Sequence, residues 1–246
     1  MENPRNTPRL ILRRFVPEDA PALWELLRDR EVNRFLPWFP VETLAEAEKF
    51  LRERFLDTYR TETGWRYAVC LQEEPERPVG YVNIAPGEAH DLGYGLEKAC
   101  WHRGLITEAA RAVVEQVRRD GGLPFLTATH DVLNPRSGGV MQNIGMTYRY
   151  TYREWVEPKK EWVAFRFYQL NRRTMCGKAT GRATPSTGSR TPACDFPQRR
   201  QSGVEKGGLC GRCEPRIQQL KTAAVQPLFP GQDRKTREVF HLLPGR

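Results

Sequence analysis

Asp91-Leu-Gly-Tyr-Gly-Leu-Glu97, Lys98-Ala-Cys-Trp-His-Arg-Gly104 and Leu105-Ile-Thr-Glu-Ala-Ala110 follow one another without a break, and they read as a strand, a loop and the opening of a helix. The helix extends over 104–119: Ile106, Ala109, Val113 and Val117 form its apolar stripe, Glu115 can pair with Arg119, and Gly121-Gly122 stops it. A short loop that runs into a helix points several unpaired backbone N–H groups at one spot. With the helix dipole, that makes an anion site suited to a pyrophosphate. Gly104 allows close approach of the backbone. Taken alone, the segment reads equally well as an ordinary strand-to-helix turn.

The flanking sequence supplies the rest of the fold. Arg9–Arg13 reads as a first strand, and Pro17, Asp19, Leu23, Trp24, Leu26 and Leu27 as a short helix. Leu44, Ala47, Leu51 and Phe55 place one stripe on a second helix over 42–59. Arg66–Gln72, Pro78–Ile84 and Asp91–Glu97 form a meander. Phe125–Thr129 returns as a strand. Asn134-Pro135 caps a helix that ends at Gly145, and Thr147–Glu157 with Glu161–Leu170 closes as a hairpin. The expected fold is α/β (α+β), with a mixed, mostly antiparallel central sheet of about seven strands flanked by helices.

Charge divides the chain. Residues 1–173 hold 26 Lys+Arg against 25 Asp+Glu, whereas 174–246 hold 13 against 5, so +8 of the net +9 belongs to the last third. That tail has 16 Gly and Pro and none of the Trp or Tyr, too little to build a core, and is expected to be a basic, low-complexity, disordered appendage to a domain over 1–173. Cys210-Gly-Arg-Cys213 has the spacing of half a zinc site, but Cys176 and Cys194 do not complete it, so no metal is expected. No apolar run approaches the roughly 20 residues of a membrane span, and 1–9 lacks the apolar core of a signal peptide, so the sequence reads as soluble, cytoplasmic and free of membrane contact.

Thirty residues after the loop, Asn134-Pro-Arg-Ser137-Gly-Gly-Val-Met-Gln-Asn-Ile-Gly145-Met146 adds a second motif. The pair resembles the GNAT superfamily of acyl-CoA-dependent N-acyltransferases, in its branch of ribosomal-protein N-terminal acetyltransferases of RimJ/RimL type. That branch shows GYWLxPxxWGKGYATEA followed by NxxSxxVxxKxGF. Gly93-Tyr94, Leu96, Trp101, Gly104 and Thr107-Glu108-Ala109 match the first part; Asn134, Ser137, Val140, Gly145 and Met146 (for Phe) match the second. The opening Arg9-Leu-Ile-Leu-Arg13 with Asp19 is also similar to the family's start, and the resemblance covers about residues 7–172. His102 stands where the family's loop has its first glycine, and Ile106 where it has a small residue.

The resemblance implies acetyl-CoA as cosubstrate. Its pantetheine would lie along Gly95, Leu96 and Glu97, its pyrophosphate on His102, Arg103, Gly104, Leu105, Ile106 and Thr107, with Asn134 nearby. A neutral amine, a protein N-terminal α-amine or a small-molecule amine, would attack the thioester directly, with Ser137 serving the departing thiolate. Cys70 and Cys100 then need no catalytic role. Glu97, Asp91 and His130 are candidates for a general base, none of them assigned. About a tenth of an α-amine but well under a thousandth of a lysine is neutral at pH 7, so an α-amine asks less of any base. Two other readings stand beside this one: a catalytically silent CoA-binding module, and a protein that binds RNA or the ribosome weakly through its basic tail.

Overall fold

The computed structural model describes residues 5–36, 38–61, 65–85, 87–120, 123–157 and 159–172. The tail 174–246, with its four cysteines, lies outside them. The elements run β1 (Arg5–Asn6), β2 (Leu10–Arg13), a 3₁₀ turn (Pro17–Asp19), α1 (Ala20–Arg28), α2 (Arg30–Asn33), α3 (Leu44–Leu51), a π segment (Arg52–Leu56) and α4 (Thr58–Thr61). They continue with β3 (Arg66–Leu71), β4 (Glu74–Ile84), β5 (Leu92–Leu96), a second 3₁₀ turn (Lys98–Cys100), α5 (Leu105–Asp120), β6 (Phe125–Asp131), α6 (Pro135–Asn143), β7 (Thr147–Val156) and β8 (Glu161–Asn171).

The mostly antiparallel α/β architecture is the expected one, but its strands fall into two sheets. Five strands are ordered β1-β2-β3-β4-β5 and three β6-β8-β7, every pairing within them antiparallel. The seam between the sheets is the parallel bridge Asp91–Thr127. There Thr127 donates through its N–H to His90 O (3.2 Å) and through Oγ1 to Ala89 O (2.7 Å) and Asp91 Oδ1 (3.1 Å). Past this point β5 and β6 go separate ways.

Alternation along the strands sorts the core into two layers. Leu10, Leu12, Tyr67, Val69, Val82, Leu92 and Leu96 pack with Leu105, Ala109, Val113 and Val117 of α5 and with Met141 of α6. On the other face Ala68, Cys70 and Tyr81 meet Leu23, Leu27, Phe50, Leu51 and Phe55. The helix expected over 42–59 begins at a Thr43–Glu46 capping box and then widens into the π segment. Phe55 stays buried through this segment, its ring centroid 4.4 Å from that of Phe15. Gly145, at φ 90°, ends α6 as a left-handed cap, with Met146 N–H donating to Met141 O (3.0 Å).

Arg13 and Asp19 form a buried ion pair (2.7 Å), and Arg13 also donates to Pro75 O and Glu76 O. The hydrogen bond to Asp19 raises the Arg13 pKa further above its ordinary value. This pair ties β2 to the start of α1 and to the β3–β4 turn. Among the described residues, no helix is long and apolar enough to cross a membrane.

Candidate active site

The site forms where β5 loses its neighbour. Asp91 O accepts from Ala85 N–H and Glu97 N–H donates to Val79 O (2.8 Å each), so the odd residues 91, 93, 95 and 97 turn their backbone groups toward β4. Leu92, Tyr94 and Leu96 therefore turn theirs the other way, into the opening beside β6. Of the three strand residues expected to line the cosubstrate, Leu96 faces this opening, while the backbone of Gly95 and Glu97 belongs to the ladder. A Cβ on Gly95 would lie 2.5 Å from Tyr81 Cε1, so the Tyr81 ring crosses the glycine on its far face. The Glu97 carboxylate takes two hydrogen bonds from Arg77 (2.6 and 3.1 Å).

Beyond β5, Trp101 Nε1 donates to Leu96 O (2.8 Å) and fixes the loop to the strand end. His102 and Gly104 both take left-handed conformations, φ 60° and 73°. That conformation explains why a glycine suits position 102 in the family, and here a histidine carries the strain, about 1 kcal/mol. Glu108 N–H donates to Gly104 O (3.1 Å), the first bond of α5, so the N–H groups of Leu105, Ile106 and Thr107 have no acceptor within the helix. Leu105 is buried and Ile106 packs against the same core, which leaves their backbone as the face they present. Arg103 and His102 are exposed at the rim.

Glu108 sets the pose of this loop. It accepts from Thr7 Oγ1 (2.6 Å), Arg9 N–H (3.0 Å) and Arg9 Nε (2.7 Å), while Arg9 Nη1 donates to Arg103 O (2.8 Å). Burial alone would raise the Glu108 pKa, but these hydrogen bonds outweigh it and hold the carboxyl below its ordinary value. Sequence reading matched Arg9 and Glu108 as separate motif positions; the structure makes them one clamp.

The second motif arrives on α6. Asn134 caps the helix, its Oδ1 accepting from Ser137 N–H (3.4 Å). Arg136 lies over the Trp101 ring at 5.8 Å, joining the two motifs. The Ser137 hydroxyl lies 2.9 Å from the Tyr94 hydroxyl, which also donates to Ser137 O (2.8 Å). Tyr94 was matched as a motif position but not singled out as a site residue. Its position between Gly93 and Gly95 was the available signal. The two glycines of α6 have different causes: a Cβ on Gly138 would lie 2.5 Å from His130 Nε2, whereas a Cβ on Gly139 would meet nothing within 4 Å.

The three base candidates are all engaged. Glu97 is held by Arg77, and Asp91 takes the Thr127 hydroxyl. His130 is 4% exposed, with Nδ1 2.7 Å from Asp131 O and Nε2 closed in beside Gly138; burial lowers its pKa. Cys70 and Cys100 are buried free thiols, and burial pushes the Cys70 pKa up to about 11. Among the described residues, no group of three or more His, Cys, Asp and Glu side chains is placed to hold a metal ion.

Comparison with known proteins identifies the fold and the family. The protein is 25% identical over 167 residues to the uncharacterized N-acetyltransferase YnaD of Bacillus subtilis (strain 168), covering 67% of this chain and 94% of that one. A GNAT-family acetyltransferase structure from Bacillus anthracis superposes with a TM-score of 0.61 at 21% identity, over 70% of this chain and 99% of that one. RimL, a ribosomal alpha-N-protein acetyltransferase solved with coenzyme A, superposes with a TM-score of 0.58 at 19% identity, over 67% and 95%. The model of the acetyltransferase (GNAT) domain matches residues 9–147, more than half of the chain, from the Arg9 clamp through the Ser137 helix, and the chain therefore belongs to the GNAT acetyltransferase family.

Proposed function

We propose that this acetyltransferase moves the acetyl group of acetyl-CoA onto an α-amine, with a protein N-terminus as the favoured acceptor, and that Ser137 stabilises the departing sulfur. One observation carries the reading. β5 has an edge without a partner strand past the seam, α5 opens with N–H groups that have no acceptor within the helix, and the Tyr94 side chain of β5 meets the Ser137 hydroxyl. Beyond the seam and before the Trp101 bond to Leu96 O, the edge offers the Tyr94 backbone groups and the Leu96 N–H to an extended, amide-bearing arm. The helix start offers N–H groups and dipole to a diphosphate. Acetyl-CoA, when bound, supplies an activated thioester.

The acceptor class follows from what the site holds back. With the Glu97 and Asp91 carboxylates bonded to Arg77 and Thr127, and His130 Nε2 buried beside Gly138, an amine that is already partly neutral near pH 7 is favoured, and an α-amine meets that condition far better than lysine. The similarity to RimL, an alpha-N-protein acetyltransferase, supports the same class.

The test is release of free CoA from acetyl-CoA across a panel of N-terminal peptides, lysine peptides and small amines. N-terminal peptides should be the best acceptors. Ser137→Ala should lower kcat by about 10- to 1,000-fold with little change in acetyl-CoA affinity. CoA binding with no thiol release from any amine would favour the silent CoA-binding module instead.

A further inference from the structure

Ser137 does not stand alone at the opening. The half-buried Tyr94 reaches from β5 to the first turn of α6 and places its hydroxyl 2.8 Å from Ser137 O and 2.9 Å from Ser137 Oγ. A phenol has one hydrogen to give. Given to the carbonyl, it leaves Tyr94 Oη free to accept the serine's hydrogen. Given to Oγ, it would leave two acceptors, Tyr94 Oη and Ser137 O, 2.8 Å apart with no hydrogen between them, so the first arrangement is the one that satisfies both contacts.

We propose that Tyr94 is the positioning residue for Ser137: its donation to the Ser137 carbonyl holds the first turn of α6 on β5, and its Oη keeps the serine hydroxyl in place until that hydrogen turns to the CoA sulfur. The inference rests on the reading of Ser137 given above. As the thioester C–S bond breaks, its electron pair stays on sulfur, which accepts the hydrogen bond of Ser137. The proton lost by the acceptor nitrogen balances the one the thiolate gains. No bond of Tyr94 is made or broken.

Three surrounding features suit this role. Burial raises the Tyr94 pKa, outweighing the hydrogen bond with Ser137, so the phenol keeps its hydrogen; the other ionisable groups that bear on it, Asp91 and Tyr168, act in the same direction. The first turn of α6 is held independently by the Asn134 cap and by Arg136 over Trp101. Gly138 seats the helix tightly on His130, so α6 cannot slide to relax the serine. A bare structural staple between β5 and α6 would need the Tyr94–Ser137 carbonyl bond alone.

The experiment uses the full chain as wild type, Tyr94→Phe, Ser137→Ala and the double variant, each loaded with free CoA. Titration of the bound thiol is followed by the ultraviolet absorbance of the thiolate. Each single variant should raise the thiol midpoint by about one pH unit, and the double variant should raise it no further. CoA affinity should stay within about threefold. Midpoints equal in all four proteins, additive shifts in the double variant, or a Tyr94→Phe effect confined to affinity or melting temperature would each overturn the proposal. Because no acceptor is present, the result separates the two readings. Shifted midpoints without acetyl transfer to any amine would leave the positioning role standing and remove the transferase reading, whereas absence of CoA binding would overturn both.

Discussion

Gly139→Ala should stabilise this protein, and Gly138→Ala, one residue earlier in the same helix, should destabilise it. Both glycines lie in the interior of α6, where alanine is favoured over glycine by about 1 kcal/mol. At position 139 nothing lies within 4 Å of the added Cβ, so most of that preference should appear as stability. At position 138 the Cβ would lie 2.5 Å from His130 Nε2 and 2.9 Å from Cε1, about an ångström inside normal contact. The imidazole has little freedom to move aside, because it is 4% exposed and its Nδ1 is engaged with Asp131 O. Overpacking of this kind costs about 1–3 kcal/mol; with an unyielding imidazole the upper end applies, which after the helix preference leaves a net loss of up to about 2 kcal/mol. Thermal unfolding of the full chain should show the two Tm values moving in opposite directions, by about 2–4 °C per kcal/mol. Urea titration should shift the midpoint with an unchanged slope. A Gly138→Ala protein as stable as Gly139→Ala would refute the claim that close packing on His130, rather than a ligand, requires the first glycine.

The same histidine predicts a pH dependence. Burial lowers its folded pKa below the ordinary 6.5, so below that pH the unfolded chain binds a proton that the folded one refuses. Stability should fall between about pH 7 and about pH 5.5, and His130→Gln should flatten the slope; an unchanged urea midpoint over that range in the wild type would contradict it. Asp19→Ala should cost about 3–5 kcal/mol, since it strands the largely buried Arg13 guanidinium. Chemical denaturation showing a loss below about 1 kcal/mol would mean that Pro75 O and Glu76 O suffice for Arg13.

Much of the fold was legible in local pattern. The stripe Ile106, Ala109, Val113, Val117 predicts α5 because period and burial coincide there, and three of these four residues are fully buried. Asn134-Pro135 and Gly145 mark the two ends of α6 through capping chemistry that depends on a few adjacent residues. The second helix was less legible: the apolar stripe through Phe55 persists, but the backbone widens at Arg52 where Phe55 packs on Phe15 and Tyr81, which come from elsewhere in the chain.

The sequence by itself determined the order of elements, the loop that leads into α5 with its unpaired N–H groups, and the spacing of the Ser137 motif after it, since each of these depends on residues close together along the chain. Tertiary structure alone decided that the strands divide at Asp91 and Thr127, leaving the Leu92, Tyr94 and Leu96 side of β5 open. It also decided that Glu108 belongs with Thr7 and Arg9, that Arg77 takes the Glu97 carboxylate, and that Tyr94 meets Ser137. The physical reason is that a strand's hydrogen-bonding edge and a side chain's partner depend on which distant segment packs beside it, and no local period encodes that choice.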